Sequence, residues 1–179
     1  MAYLSPAEFV TKMVDTGEAK IHMSTRDTLI RAFMAGAILA LAAVFAVSAS
    51  VMSGSALIGA LLFPVGVCML YLLGFDLLTG VFMLTPLALL DKRPGVTVRG
   101  ILRNWGLVFV GNFLGALTVA GMMAFIFTYG FSVPPGEIGQ KIGHIGEART
   151  LGYAEYGLMG WATIFLRGVL CNWMVSTGV

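Results

Sequence analysis

Apolar residues fall in four long blocks along this chain, separated by short polar or charged stretches. Ala32 to Met52 is uncharged and long enough to cross a hydrocarbon layer of about 30 Å. Ala56 to Leu90 follows, with Asp76 its one charged residue. A straight helix over that run would be about 52 Å long at 1.5 Å per residue. Two full crossings would need roughly 20 apolar residues each plus a turn. The pattern therefore predicts a single crossing made of two half-helices, interrupted near Gly74 to Gly80. The third block runs from about Asn104 to Phe131, with Trp105 and Tyr129 near its ends, where amphipathic rings favour the membrane interface. The fourth runs from about Tyr156 to Val179 and carries Arg167.

Ahead of the first block, Ser5-Pro6-Ala7-Glu8 is a capping-box pattern, and Phe9, Val10, Met13, Val14, Gly17 and Ile21 follow at helical spacing. Glu8, Lys12, Asp15, Glu18 and Lys20 supply the polar face. Residues 1–28 thus read as an amphipathic segment that lies on the membrane surface or against a neighbouring subunit, and residues 29–179 as the membrane domain. Residues 132–155 read as a polar, glycine-rich loop. His22 and His144 read as solvated side chains, not ligands.

Small residues repeat every four positions at Ala32, Gly36 and Ala40, and again at Gly111 and Gly115. Lipid tails give helices no hydrophobic reason to associate, so such stripes read as sites of close backbone packing. Asn112, between the second pair, has two roles open to it: hydrogen-bonding between helices, or polarity along a path.

Composition restricts the class. Of 179 residues, 58% are hydrophobic and 11% charged, which excludes an ordinary soluble domain. The formal charge of +2 comes from basic residues beside the spans and concerns topology, not nucleic acid. Lys12, Lys20, Arg26 and Arg31 precede the first span, and Lys92, Arg93, Arg99 and Arg103 separate the second and third. Only Lys141 and Arg149 separate the third and fourth. The bias predicts a plasma-membrane protein with a cytoplasmic N-terminus and the 132–155 segment outside. The first thirty residues have no cleavable apolar core, so insertion is expected through the spans themselves. Cys68 and Cys171 stand apart without a CxxC or Cys/His cluster, so neither a disulfide framework nor a metal or other cofactor is expected. No pairing of nucleophile and base and no phosphate loop suggests an enzyme.

The chemistry concentrates at the interruption. A break at membrane depth frees backbone N–H and C=O groups that lipid cannot satisfy, so it persists only inside protein or along a watery path. A carboxylate there costs a further ~2.5–3.5 kcal/mol on insertion scales. Together these point to transport, although Asp76 as a simple cap of the following half-helix stays open. Arg167 lies about 18 Å along its helix from Glu155. At that depth it is expected to face the protein interior, pair with an acid or line an anion path, unless it snorkels.

Gly74-Phe75-Asp76-Leu77-Leu78-Thr79-Gly80 resembles the first signature of the formate/nitrite transporter family, and Gly168-Val169-Leu170-Cys171-Asn172-Trp173-Met174-Val175 resembles the second. Gly111-Asn112 with Gly115 is similar to the family's third helix. The resemblance implies an all-α, aquaporin-like membrane protein of six spans in two inverted repeats, assembled as a homopentamer with a pore in each protomer. Four spans are present, so the chain is expected to be a fragment holding the first repeat and the opening helix of the second. By position, the resemblance places Leu77 and Leu78 at a constriction with Phe63 nearby, Val67 in an apolar wall, and Thr79 and Asn172 facing the pore. It implies substrates such as formate and nitrite, small monovalent anions crossing the bilayer, with protonation to the neutral acid lowering the barrier at the apolar rings. Three departures stand out. Ser176-Thr177-Gly178 replaces the usual Cys, aliphatic and Ala, Tyr156 stands where many members carry lysine, and neither His22 nor His144 matches the histidine of the family's fifth span. The competing expectations are a non-conducting assembly subunit with a buried Asp76–Arg167 ion pair, and a channel for a small neutral solute.

Overall fold

The computed structural model describes residues 4–178, and among them every regular element is helical. The order is α1 (Pro6–His22), α2 (Thr25–Ser53), α3 (Ala56–Leu62), α4 (Pro64–Leu72), α5 (Leu78–Leu90), α6 (Val98–Phe127), α7 (Glu137–Arg149), a 3₁₀ turn (Leu151–Tyr156) and α8 (Gly157–Thr177). The helix containing α2, the helix α6, and the stretch from α7 to α8 are long and apolar enough to cross a membrane. The apolar helices of 56–72 and 78–90 are shorter, and they are separated at the interruption the sequence marks. The protein is an all-α membrane protein.

The mast of the structure is the α2–α6 pair. Its axes approach closely because there is no side chain in the way. A Cβ on Gly36 would lie 2.1 Å from the Asn112 carbonyl oxygen, and one on Gly115 would lie 2.0 Å from that of Phe33. The buried positions of α6 (Ile101, Asn104, Val108, Gly111, Gly115, Val119) recur at three- and four-residue spacing along one face. The small-residue stripes are therefore packing surfaces, as their spacing predicts. α3 and α4 lean on the later half of α2, with Gly66 against Ala42. Pro64 opens α4 directly after Phe63, so the first half of the broken segment is itself divided.

α1 packs against α5 and α6 of its own chain. Gly17 lets it settle onto the Leu84 backbone, and Ile21 joins Ala88, Val96 and Ile101 in a small core. The turn after α5 closes on the same helix: Arg93 pairs with Asp15 at 2.7 Å, Glu18 at 3.6 Å and Asp91 at 2.8 Å. His22 is exposed, as expected, but its Nε2 lies 3.2 Å from the Pro94 carbonyl oxygen and so steadies that turn.

The capping box at the start of α1 forms in full. Glu8 N–H donates to Ser5 Oγ at 3.4 Å, and Glu8 Oε2 accepts from Ser5 N–H at 2.8 Å. The Ser5 hydroxyl, followed by its backbone N–H, holds the Glu8 carboxyl below the usual glutamate range. A group whose folded pKa is lowered gives its full contribution above the unfolded value and loses it as pH falls through the folded one. Protection of the amides in the first turn of α1, taken relative to the intrinsic exchange rate at each pH, is accordingly expected to fall below about pH 4, while the rest of α1 stays protected. Protection of that turn that does not change with pH would contradict this.

One segment differs from the sequence reading. The stretch 132–155 is not a plain loop, because α7 and the 3₁₀ turn occupy much of it. Trp105, expected near the membrane interface, also has a role inside the bundle: its indole N–H donates to Thr85 Oγ1 at 2.9 Å and the Val81 carbonyl at 3.2 Å, joining α6 to α5.

Candidate functional site

The interruption in the second block is built as a stop, a bridge and a restart. α4 stops with Gly74 in the left-handed region (φ +71°), which glycine adopts without a Cβ penalty. Gly74 N–H donates to the Tyr71 carbonyl at 3.0 Å and Phe75 N–H to the Leu70 carbonyl at 2.9 Å, the paired bonds of a Schellman ending. Phe75, Asp76 and Leu77 then run outside any helix, and α5 restarts at Leu78.

The restart has no side-chain cap of its own, since the N-cap residue is Leu77. Asn112 on α6 supplies one from across the bundle. Its Oδ1 accepts from Leu78 N–H at 2.9 Å, and its Nδ2 donates to the Asp76 carbonyl at 2.8 Å and the Ala32 carbonyl at 2.7 Å. One amide thus joins α2, α6, the bridge and α5, and its three partners fix which way it points. Of the two roles open to Asn112, the structural one is realised.

Asp76 does not cap α5. Its side chain is 1% exposed, and Oδ1 is paired with Lys20 Nζ from α1, itself 13% exposed. The polar face of α1 therefore contributes a cation to the interior, and Asn104 Nδ2 holds the Lys20 carbonyl at 3.1 Å. A second cation, Arg31, donates to the Gly74 carbonyl at 3.3 Å. The backbone of the bridge is in this way held by neighbouring protein groups, which is the condition for a break at membrane depth.

The sequence-predicted residues separate into two groups. Phe63 and Val67 stand at the start and in the middle of α4, ahead of the break, and Leu77, Leu78 and Thr79 lie at its far side; Leu77 is buried and the other four are half-buried. Ser176 on α8 donates to the Thr79 carbonyl at 3.1 Å. The departure from the usual family pattern at Ser176 is thus a direct link between the two signature segments. Asn172 and Arg167 stand apart from the break. Asn172 is exposed and bonds its own helix, donating to Gly168 O at 2.8 Å. Arg167 was expected to be buried, and it is exposed. Its guanidinium donates to the Tyr153 hydroxyl and lies 5.5 Å from that ring's centroid. The Asp76–Arg167 ion pair of the competing reading is not formed among the described residues: Lys20 engages the acid and Tyr153 the base. Sequence reasoning missed Lys20 and Ser176. For Lys20 the available signal was a lysine 56 residues before the lone acid, indistinguishable in sequence from its solvated neighbours.

Residues 7–179 match the sequence profile of the family described as formate/nitrite transporter. The "Uncharacterized transporter YrhG" of Bacillus subtilis is 30% identical over 188 residues, which cover 100% of this chain and 65% of that protein. The "Probable formate transporter" of Methanothermobacter thermautotrophicus is 30% identical over 196 residues, covering 99% and 69%. The "Formate channel FocA" of Haemophilus influenzae is 30% identical over 185 residues, covering 98% and 60%. The chain thus spans about two thirds of the length of these relatives. With the family profile matched across nearly its whole length, the chain belongs to the formate/nitrite transporter family.

Proposed function

We propose that the full-length gene product carrying this chain is a channel for small monovalent anions of weak acids, with formate and nitrite as the leading substrates. The observation that carries the reading is the sheltered break. A buried carboxylate and an interrupted helix at membrane depth are kept in place by Lys20, Arg31 and Asn112, and the segment so held presents Leu77, Leu78 and Thr79. Two relatives named for formate support the substrate class.

In this reading Phe63, Val67, Leu77 and Leu78 form an apolar constriction that strips water from the permeant. Thr79, and Asn172 once its helix is covered by further protein, return part of the lost hydrogen bonding. An anion pays several kcal/mol to shed its hydration at such a ring, so crossing as the neutral acid lowers the barrier. Basic residues at the α1 end put that end in the cytoplasm of a plasma-membrane protein. The many exposed apolar side chains of α6 and α8 fit lipid and neighbouring copies, in a pentamer with one pore per protomer.

Flux into proteoliposomes tests the proposal. Wild-type full-length protein is expected to take up formate or nitrite, and Leu78→Trp is expected to cut uptake roughly tenfold or more while the oligomer elutes unchanged. A correctly folded Leu78→Trp variant with undiminished uptake would refute the constriction. The non-conducting subunit built on an Asp76–Arg167 pair loses its support, since the two residues pair elsewhere.

A further inference from the structure

Away from the break, a cavity of about 550 Å³ opens between the last turn of α2, the start of α3 and one face of α7. Ser50 and Ala56 line one side of it, and Glu137, Gln140, Lys141 and His144 line the other. These four recur at three- and four-residue spacing, so they share a face of α7. Gln140 is committed, its Nε2 donating to the Pro135 carbonyl at 2.9 Å. Glu137 and Lys141 are not. They stand one helical turn apart, in the order that favours pairing, yet neither forms an ion pair with the other or with any other described residue. The N-terminal end of α7 accounts for a carboxylate at Glu137, but not for an ammonium and an imidazole lining the same cavity.

The level of the cavity narrows the ligand. α2 is long and apolar enough to cross a membrane and ends at Ser53, and α3 returns to apolar sequence from Ala56. The cavity therefore sits where the chain leaves and re-enters hydrocarbon, which is the depth of lipid headgroups. Continuing from Ala56, Leu57 and Leu61 lie one turn apart and are 67% and 68% exposed, leaving apolar surface for an acyl chain. Charge selects the headgroup. A phosphate alone would meet Lys141 and be repelled by Glu137. A head that carries a phosphate and a primary ammonium satisfies both, and its N–H groups donate to the carboxylate as a trimethylammonium cannot.

We propose that this cavity seats the headgroup of a phosphatidylethanolamine-type lipid, with Lys141 and His144 donating to the phosphate and Glu137 accepting from the lipid's ammonium. Ser53 bonds its own helix and Gln140 the Pro135 carbonyl, so no side-chain hydrogen bond joins α7 to α2 among the described residues. The headgroup supplies that link.

The test counts lipid retained per protomer by native mass spectrometry, on full-length protein in detergent exposed to phosphatidylethanolamine, phosphatidylcholine or phosphatidylglycerol with identical chains. The readout needs no flux. Wild type is expected to retain phosphatidylethanolamine about two- to fivefold more than either other lipid, the worth of one ion pair in a water-exposed setting. Glu137→Gln is expected to erase that preference and leave phosphatidylcholine retention as it was. Lys141→Gln is expected to lower retention of all three, because each carries the phosphate. Glu147→Gln, on the same helix but off the cavity wall, is expected to match wild type. Equal retention of the three lipids by wild type would overturn the seat, as would an undiminished preference in Glu137→Gln. Loss of the preference in Glu147→Gln would also overturn it, by marking a general charge effect. So would a Lys141→Cys thiol that stays unlabelled in lipid-stripped protein, which would show that another part of the protein fills the cavity.

Discussion

Replacing Asn112 with leucine, which has the same branching and number of heavy atoms, is expected to destabilise the bundle by several kcal/mol. The substitution keeps the branched shape of the side chain on α6 and removes the amide that serves three elements at once. Leu78 N–H and the Asp76 carbonyl lose partners in a part-buried setting, at about 1–3 kcal/mol for each unmet group. The Ala32 carbonyl suffers less, because its helix offers it a second bond. Unfolding in mixed detergent micelles measures the loss, and a cysteine introduced at Thr79 reports the local consequence through faster labelling. Wild-type stability in Asn112→Leu would mean that the restart of α5 holds itself without outside help.

The second large effect is expected at Lys20. Lys20→Met leaves the Asp76 carboxylate buried and without its cation, a change that costs about 3–5 kcal/mol. The converse change is milder. Lys20, at 13% exposure, can extend its flexible stem toward solvent, and Asp76, at 1%, has no such route. Asp76→Asn is therefore expected to cost less than Lys20→Met, and the double variant to recover most of what Lys20→Met loses. Equal, additive losses from the two single changes would show that the pair contributes nothing by being a pair.

How much of this was legible in the chain depends on the range of the interaction. Local rules were enough for the Ser5–Glu8 cap, the glycine-ended α4 and the small-residue faces of α2 and α6, because each is decided by residues a few positions apart. The second block's excess length against a bilayer located the break. Long-range partners were not legible. Lys20 looks like any other member of a polar helical face, and Asn112 offers no sequence sign of which carbonyls it will reach. α7 was hidden by Gly139, Gly143 and Gly146, which read as loop, although Ile138, Ile142 and Ile145 keep helical spacing beneath them. Arg167 was misread for a related reason: depth along a helix says nothing about which side of it faces the protein, and Tyr153 was available next door.

The separation of 34 positions between Leu78 and Asn112 carries a consequence for biogenesis. When a ribosome has completed α5, the amide that will seat its first N–H has not yet been made. The nascent bend therefore enters the translocon with its polar backbone uncovered, and only the arrival of α6 can commit it to its final shape. A pause in translation over residues 91–111 would prolong that interval, leaving the half-helices open to rearrangement or to quality-control proteases before their keystone emerges.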